Sequence, residues 1–237
     1  MLLPGAIMAL FQPLVSASDT LPAILLAVLV GHTLWFAGIH GSAIVSGIMA
    51  PFWLYNLGQN QEALAAGTAL PHVFIEPFWT FFIVLGGSGA TFALVLLYLK
   101  SKSAHLKTIG RLSFAPAVFN INEPVIFGSP IVMNPIMFIP FVGAPMINAI
   151  IAYFATSMDW IGKMVSLVPW TAPAPVGAAW GAGWQLNNAV LVFVLLGINL
   201  VVYYPFFKIY EKQLLAEEKA METSEEEGKP AGEQSYA

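Results

Sequence analysis

A carboxylate in apolar surroundings is the most informative residue of the chain. Glu123 lies in the run Asn120-Ile121-Asn122-Glu123-Pro124, with long apolar stretches on both sides. A carboxylate at membrane depth is costly and by default indicates a functional site. Pro124 disfavours a helical backbone at Glu123, which predicts a turn that presents the side chain to a cavity. The two asparagines add amide groups that suit a polyhydroxylated ligand; the alternative is a structural carboxylate bonded to neighbouring N–H groups.

A histidine between glycines is the second candidate. His40 lies between Gly38-Ile39 and Gly41, and glycines allow a backbone or a ligand to approach closely. Its imidazole can bond a hydroxyl or carry a proton, although a lone histidine more often bonds a backbone carbonyl. For His32, within the preceding apolar run, we favour that structural role.

Tryptophan rings can stack on sugars, but tryptophan also concentrates at membrane interfaces, which accounts for most tryptophans here. Trp180 and Trp184 lie in a glycine-rich segment that continues into Gln185. These three residues are therefore predicted to contact a ligand. Glu76 is left open between an outer interface position and an inward-facing one.

The elements that position these residues must lie in a membrane. The chain has 237 residues, of which 58% are hydrophobic and 9% charged, against about 25% charged residues in soluble domains. Such a composition excludes a nucleic-acid binder, which needs a basic face. The absence of cysteine excludes a disulfide scaffold and thiolate metal sites. No metal cluster motif appears, so neither a metal nor a cofactor is expected.

The apolar segments predict an all-α polytopic membrane protein with about four to five transmembrane helices plus re-entrant hairpin segments. The predicted spans are 21–37, 73–100, 131–157 and 186–207. The span 73–100 is interrupted by glycines at 86–89, so it is either one broken helix or two short ones. The apolar residues 1–15 form either the end of a longer helix or an interfacial helix. Gly47 and Pro51 are expected to break any long helix between 38 and 72.

Two apolar segments resist assignment as spans. Residues 114–130 and 168–185 each contain three prolines, which argues against a regular helix. Irregular backbone at membrane depth persists only where it is buried or lines a wet cavity. Both segments are therefore predicted to be re-entrant and to lie at a functional site.

Charge fixes the predicted orientation. Loop 101–111 is basic and has no acidic residue, so it is predicted to be cytoplasmic. Residues 1–207 are predicted to form one membrane-embedded transport domain. Residues 208–237 hold eight of the 13 acidic residues and are predicted to be a disordered cytoplasmic tail.

Three stretches together resemble a known family: 35–41 (WFAGIHG), 86–91 (GGSGAT) and above all 119–128 (FNINEPVIFG), followed by Pro130 and Asn134-Pro135. They resemble enzyme IIC, the membrane-embedded sugar-transporting component of the bacterial phosphoenolpyruvate-dependent phosphotransferase system, of the lactose/cellobiose/diacetylchitobiose type. Members of that family are longer, and the resemblance covers their C-terminal half.

The resemblance implies a deep pocket for a disaccharide, built with two re-entrant hairpins in the plasma membrane of a bacterium. Glu123 and His40 would contact the sugar near the hydroxyl that is phosphorylated, and either of them can act as the base. A cysteine of enzyme IIB, itself supplied through enzyme IIA, would donate the phosphoryl group. The full set of expected substrate contacts is Asn120, Asn122, Glu123, His40, Gly41, Trp180, Trp184 and Gln185.

Other interpretations remain open at this stage. One is a proton-coupled secondary sugar transporter without phosphoryl transfer, in which Glu123 carries the proton. Another is a truncated, inactive remnant, because the half that holds much of the homodimer contact in the family is not matched. The residues do not choose among cellobiose, lactose and diacetylchitobiose.

Overall fold

A computed structural model describes residues 17–129 and 131–227, with side chains through residue 221. All regular elements in these ranges are helices. Their order is α1 (Leu21–Phe36), α2 (Gly41–Ala65), α3 (Glu76–Phe78) continued by a π-helical turn (Trp79–Ile83), a 3₁₀ turn (Ser88–Ala90), α4 (Phe92–Leu99), α5 (Ala104–Val118), α6 (Glu123–Gly128), α7 (Pro135–Ser157), α8 (Ala174–Gly181) and α9 (Leu186–Glu227). The predicted all-α class is confirmed.

Each of the four predicted spans contains apolar helix, but the described ranges hold two to three helices that could cross a membrane by length and composition, against the four to five predicted. Within the described ranges, α7 and the part of α9 from Leu186 to Met221 are long and apolar enough to cross a membrane. The pair Glu76–Ala90 and Phe92–Leu99 passes the same test as one span bent by 52°. The predicted interruption at the glycines is therefore real. Helix α1 is apolar but has 16 residues, about 24 Å of helix against a hydrocarbon core of roughly 30 Å.

The prediction that Gly47 and Pro51 interrupt a long helix is wrong. Both residues lie inside α2, which runs for 25 residues. A proline removes one N–H donor and crowds the carbonyl four residues earlier, here that of Gly47. The helix continues because the hydrogen bonds on either side remain and because it buries Trp53 and Leu57 in the core. Helix α7 includes Pro140 and Pro145 in the same way, as membrane helices often do.

The predicted tail also differs from the structure. Helix α9 continues to Glu227, so residues 208–227 are helical rather than disordered, and the predicted boundary after 207 falls inside a helix. Carboxylates of this extension bond the turn before α5: Glu211 accepts hydrogen bonds from the Ser101 hydroxyl at 2.7 Å, and Glu218 from the Ser103 hydroxyl at 2.6 Å. The expectations for 1–15, Pro130 and 228–237 concern residues outside the described ranges.

The proline-rich segments are short helices around breaks. Pro116 lies inside α5, which continues to Val118, so the first part of 114–130 is regular helix contrary to prediction. The break occupies 119–122, where Asn120 has φ +62°. Pro124 predicts an extended backbone at Glu123, but Glu123 is the first residue of α6. The change of chain direction occurs just before it, at 119–122. In 168–185, α8 lies between two irregular runs.

The glycine-rich turn packs the broken span against its neighbours. Gly87 has φ +101°, and a Cβ there would lie 2.3 Å from Cγ of Asn122. A Cβ on Gly89 would lie 2.2 Å from the ring of Phe141 in α7. Only glycine combines these backbone angles with such close approach. The turn therefore touches both the residue that precedes Glu123 and the long helix α7.

Candidate functional site

A cavity of about 420 Å³ opens where the end of α1, the start of α2, the broken span and the 119–122 break meet. Its lining combines tryptophans with polar side chains, which is the composition expected of a site for a polar ligand with apolar faces. The lining residues are Trp35, His40, Ser42, Ala43, Ser46, Glu76, Trp79, Thr80, Val84, Gly87, Ser88, Asn120, Asn122, Glu123 and Trp170. The structure thus brings Glu123 and His40 into one cavity.

Glu123 presents an unpaired carboxylate to this cavity. Its side chain is exposed and, in the described part of the chain, has no hydrogen-bond or ion-pair partner. The preceding residue is fixed firmly, since Nδ2 of Asn122 donates to the Ser88 carbonyl at 2.6 Å and to the Thr91 hydroxyl at 2.7 Å. Glu123 therefore stands on a rigid support while its oxygens stay free to accept bonds from a ligand.

His40 has a defined tautomer. It precedes α2, and its Nδ1 accepts a hydrogen bond from the backbone N–H of Ala43 at 3.1 Å. A backbone N–H can only donate, so the neutral ring carries its hydrogen on Nε2. The ring also packs on Trp35, with centroids 4.3 Å apart. His40 is consequently oriented from two sides and has one N–H left to offer.

Both asparagines of the motif line the cavity, but most of their amide groups are already bonded. Asn120 accepts from the Gly86 N–H at 3.1 Å and donates to the carbonyls of Trp170 at 2.7 Å and Ala172 at 3.0 Å. These bonds tie the break to the loop before α8. For Asn122, Oδ1 alone has no hydrogen-bond partner among the described residues. The asparagines build the site, and only this one oxygen remains for a ligand.

The structure adds cavity residues that the sequence analysis did not assign. Glu76 faces the cavity, where its carboxylate accepts a bond from the Thr80 hydroxyl at 2.6 Å. Trp35, Trp79 and Trp170 also line it, although the sequence favoured an interfacial position for them. One signal was present for Glu76: like Glu123, it is a carboxylate directly before a proline in apolar surroundings.

Four predicted ligand contacts lie outside this lining. Gly41 sits at the crossing of α2 with α1, where a Cβ would lie 1.8 Å from the Gly31 carbonyl oxygen. Trp180 and Trp184 stack on each other at 6.0 Å and are 39% and 63% exposed. The Gln185 amide packs against Gly162. Their ligand roles remain predictions without support from the cavity.

Comparison with known proteins places this architecture in a family. The family model "Phosphotransferase system, EIIC" matches residues 2–145. A putative permease IIC component of Bacillus subtilis is 42% identical over 90% of this chain and 48% of its own length. The cellobiose-specific EIIC component of Geobacillus stearothermophilus is 39% identical over 88% of the chain and 47% of its own length.

A solved structure agrees with these relatives. The crystal structure of ChbC, the IIC component from the N,N'-diacetylchitobiose-specific phosphotransferase system, superposes with a TM-score of 0.88 at 41% identity. The match covers 90% of this chain and 50% of that one. The chain thus spans about half the length of the relatives that it matches. The resemblance read from the motifs is confirmed: the chain belongs to the EIIC family of integral membrane components of the phosphotransferase system.

Proposed function

We propose that this chain forms the sugar-binding half of an EIIC permease, which binds a disaccharide in the described cavity and presents one hydroxyl for phosphorylation by enzyme IIB. The observation that carries the proposal is the free carboxylate of Glu123 in the same tryptophan-lined cavity as the Nε2–H of His40. Relatives named for cellobiose and lactose support a disaccharide as the substrate class, and a further relative is named for lichenan.

Phosphoryl transfer in this cavity needs a proton acceptor. The oxygen of the sugar hydroxyl forms a bond to phosphorus, the phosphorus–sulfur bond of the phosphocysteine breaks, and the sulfur leaves as a thiolate. The hydroxyl proton passes to a base during this step, and such assistance typically contributes about 10²- to 10⁴-fold in rate. Glu123 is the better base because its carboxylate is unpaired and stands on the rigid Asn122 support.

His40 suits a different role. Its Nδ1 lone pair is already used by the Ala43 N–H, and its Nε2 carries the hydrogen. A neutral histidine in that state donates a hydrogen bond to a sugar oxygen and does not accept the hydroxyl proton. We therefore assign His40 to orienting the sugar and Glu123 to accepting the proton.

The tryptophans suit the faces of the sugar rings. Trp35, Trp79 and Trp170 line the cavity, and an aromatic ring contributes large apolar area at a low entropy cost. Glu76 and the serine hydroxyls of the lining supply polar partners for ring hydroxyls. Asn122 and Glu123 stay in the proposed contact set and Asn120 holds the cavity wall, while Trp180, Trp184, Gln185 and Gly41 lie outside the set.

The partners follow from the family. A lactose-specific relative of Lacticaseibacillus casei, 35% identical over 93% of this chain, is named an EIICB component, which joins the IIC and IIB functions. This chain has no cysteine, so the phosphocysteine must come from another polypeptide or domain. The basic loop 101–111 and the start of the α9 extension are proposed to face the cytoplasm, where enzyme IIB would dock. A homodimer is proposed through the part of the family fold that this chain does not match.

Sugar phosphorylation tests the proposal directly. The chain in lipid vesicles is given labelled cellobiose, lactose or diacetylchitobiose, together with phosphorylated enzyme IIB. Glu123→Gln keeps shape and loses basicity, so sugar binding should partly survive while phosphorylation falls by about 10²-fold or more. Glu62→Gln, an exposed carboxylate near the other end of α2, is the matched control. Uptake driven by a proton gradient without phosphorylation, or no sugar binding by the unmodified chain, would contradict the proposal.

A further inference from the structure

In the segment that leads into the cavity from the end of α2, residues 70–74 make no backbone–backbone hydrogen bonds within the described ranges. Buried backbone groups in such a segment need partners from elsewhere. Here side chains from three other parts of the fold supply them. The bonded backbone groups belong to Leu70, His72, Val73 and Phe74. We call residues 70–75, held in this way, the anchored segment.

Asp19 makes the densest set of these bonds. It lies just before α1, and its carboxylate accepts from the Val73 N–H at 3.1 Å and the Phe74 N–H at 2.5 Å. Its other oxygen is 3.0 Å from Nδ1 of His72. The Asp19 side chain is 13% exposed and that of His72 is 17% exposed. One carboxylate thus holds three consecutive residues of the anchored segment.

Two asparagines of helix α2 bond the same segment. Asn60 accepts from the His72 N–H and donates to the His72 carbonyl, both at 2.9 Å. Asn56 donates to the Phe74 carbonyl at 3.1 Å. Lys163 adds a bond to the Leu70 carbonyl at 2.6 Å. The anchored segment is therefore fixed along its length before the chain enters the cavity.

We propose that Asp19 is a positioning residue that, through the anchored segment, sets where Glu76 and Trp79 stand in the cavity and so sets the affinity for sugar. Glu76 begins α3 directly after the anchored segment, and Trp79 follows three residues later. Both line the cavity, whereas Asp19 does not. The inference rests on the proposed function for the ligand, but its structural part can be measured without any sugar.

The groups around position 19 favour a carboxylate. A carboxylate only accepts hydrogen bonds, and all three groups that it meets are donors. In Asp19→Asn the amide oxygen still accepts from the two backbone N–H groups, but the charge that strengthens those bonds is lost, and the NH₂ group faces Nδ1 of His72. The His72 ring must then carry its hydrogen on Nε2. Asp19→Asn is therefore a small change in volume that should loosen one end of the anchored segment.

The control is another Asp→Asn exchange. Asp159 is exposed after α7 with φ +58°, a conformation that asparagine also tolerates. No side-chain hydrogen bond forms at Asp159 in the described ranges. Asp159→Asn should therefore leave both the anchored segment and the cavity unchanged.

The first readout is independent of sugar. Because the chain has no cysteine, Glu76→Cys introduces a single thiol at the cavity wall. Its labelling rate with a water-soluble maleimide reports the position of residue 76. Asp19→Asn combined with Glu76→Cys should change that rate, while Asp159→Asn combined with Glu76→Cys should not. Equal labelling rates in all three backgrounds would overturn the proposal.

The second readout separates positioning from folding. In the chain with an intact Glu76, Asp19→Asn should raise the KM for the sugar by roughly 10-fold, since small displacements of binding groups have effects of this order or larger. The rate at saturating sugar should change far less, because Glu123 and His40 are held by other elements. A purely structural role would instead lower the amount of folded protein and leave KM unchanged, which would count against the proposal.

If Asp19→Asn does not fold, the milder variant His72→Ala tests the same proposal. His72→Ala removes one of the donors that Asp19 holds and leaves its bonds to Val73 and Phe74. It should shift labelling and KM in the same direction by a smaller factor, and unchanged values would overturn the proposal. If the unmodified chain binds none of the three sugars, the proposed function fails, and the labelling rates alone decide whether Asp19 positions residue 76.

Discussion

The hydroxyl groups of Ser42 and Ser88 lie 2.7 Å apart and join the two halves of the cavity wall. Ser42 is in the first turn of α2, two residues after His40, and also accepts a bond from the indole N–H of Trp35 at 3.2 Å. Ser88 belongs to the glycine-rich turn, and its carbonyl holds Asn122. A short chain of hydrogen bonds thus runs from the element of His40 to the element of Glu123.

Removing the hydrogen bond between Ser42 and Ser88 should make the distance between His40 and Glu123 less well defined. A net contribution of about 1 kcal/mol for such a bond corresponds to roughly fivefold in rate. Ser88→Ala is therefore expected to lower sugar phosphorylation by about that factor while the protein stays folded. Ser157→Ala, at an exposed site at the end of α7, is the matched control. Equal phosphorylation rates in both variants would show that the hydroxyl pair has no part in the spacing.

A methyl group on the glycine-rich turn should disturb the cavity more than the loss of the Ser88 hydroxyl does. Gly87→Ala places a Cβ 2.3 Å from Cγ of Asn122 at φ +101°, so either the turn or Asn122 must move. We expect a lower unfolding temperature in detergent and loss of sugar binding. Gly58→Ala is the control, since a Cβ there meets nothing within 4 Å and lies in α2, where alanine stabilises by about 0.5–1 kcal/mol. If Gly87→Ala bound sugar with the unmodified affinity, the contact with Asn122 would not shape the site.

Much of this architecture was predictable because membrane helices must be apolar and the few charges inside them are conspicuous. The apolar runs predicted the positions of the apolar helices, and the Asn-Glu-Pro run predicted a break next to Glu123. The errors concern competition between local and tertiary effects. Pro51 is a strong local breaker, yet burial of the helix around it prevails. The acidic composition after 207 indicated disorder, but Glu211 and Glu218 find partners on the turn before α5 that no local pattern shows.

The tryptophans show the same limit within the site. Glycine and amide neighbours favoured Trp180 and Trp184, but which rings share a cavity depends on how distant segments fold together. Trp170 reaches the cavity because Asn120 holds its carbonyl, a contact across 50 positions of sequence. Spacing along the chain carries no information on such a contact.

Tryptophan substitutions can decide between the sequence prediction and the cavity. Trp170→Leu should weaken sugar binding by up to about tenfold, the range expected from an aromatic contact of about 0.5–1.5 kcal/mol. Trp184→Leu, at a 63% exposed ring outside the lining, should leave affinity unchanged. Calorimetric titration of the purified chain with the preferred disaccharide gives both values. The opposite order of effects would restore the ligand role predicted for the Trp180–Trp184 stack.

His40 combines two roles that substitution can separate. Its Nδ1 caps the first turn of α2, and its Nε2–H is the group proposed to bond the sugar. Asparagine is a good capping residue, so His40→Asn should keep the unfolding temperature, whereas His40→Ala should lower stability by about 1 kcal/mol. Both should lose phosphorylation to a similar extent. Near-normal phosphorylation by His40→Asn would mean that His40 serves as a cap alone.

The buried carboxylate of the α9 extension should contribute to stability even though it lies outside the cavity. Glu211 accepts from the Ser101 hydroxyl and the Lys102 N–H, both at 2.7 Å, and pairs with Lys208 at 2.7 Å. Bonds to a charged group are worth about 1.5–3 kcal/mol when they are shielded from water. Lys208 is partly exposed, which reduces the contribution of its ion pair, so we expect Glu211→Gln to lower the free energy of unfolding by about 1–2 kcal/mol.

Limited proteolysis should cut near the turn 100–103 faster in this variant than in Glu217→Gln, whose side chain is exposed on the same helix. Identical cleavage in the two variants would mean that residues 208–227 do not hold the turn in solution.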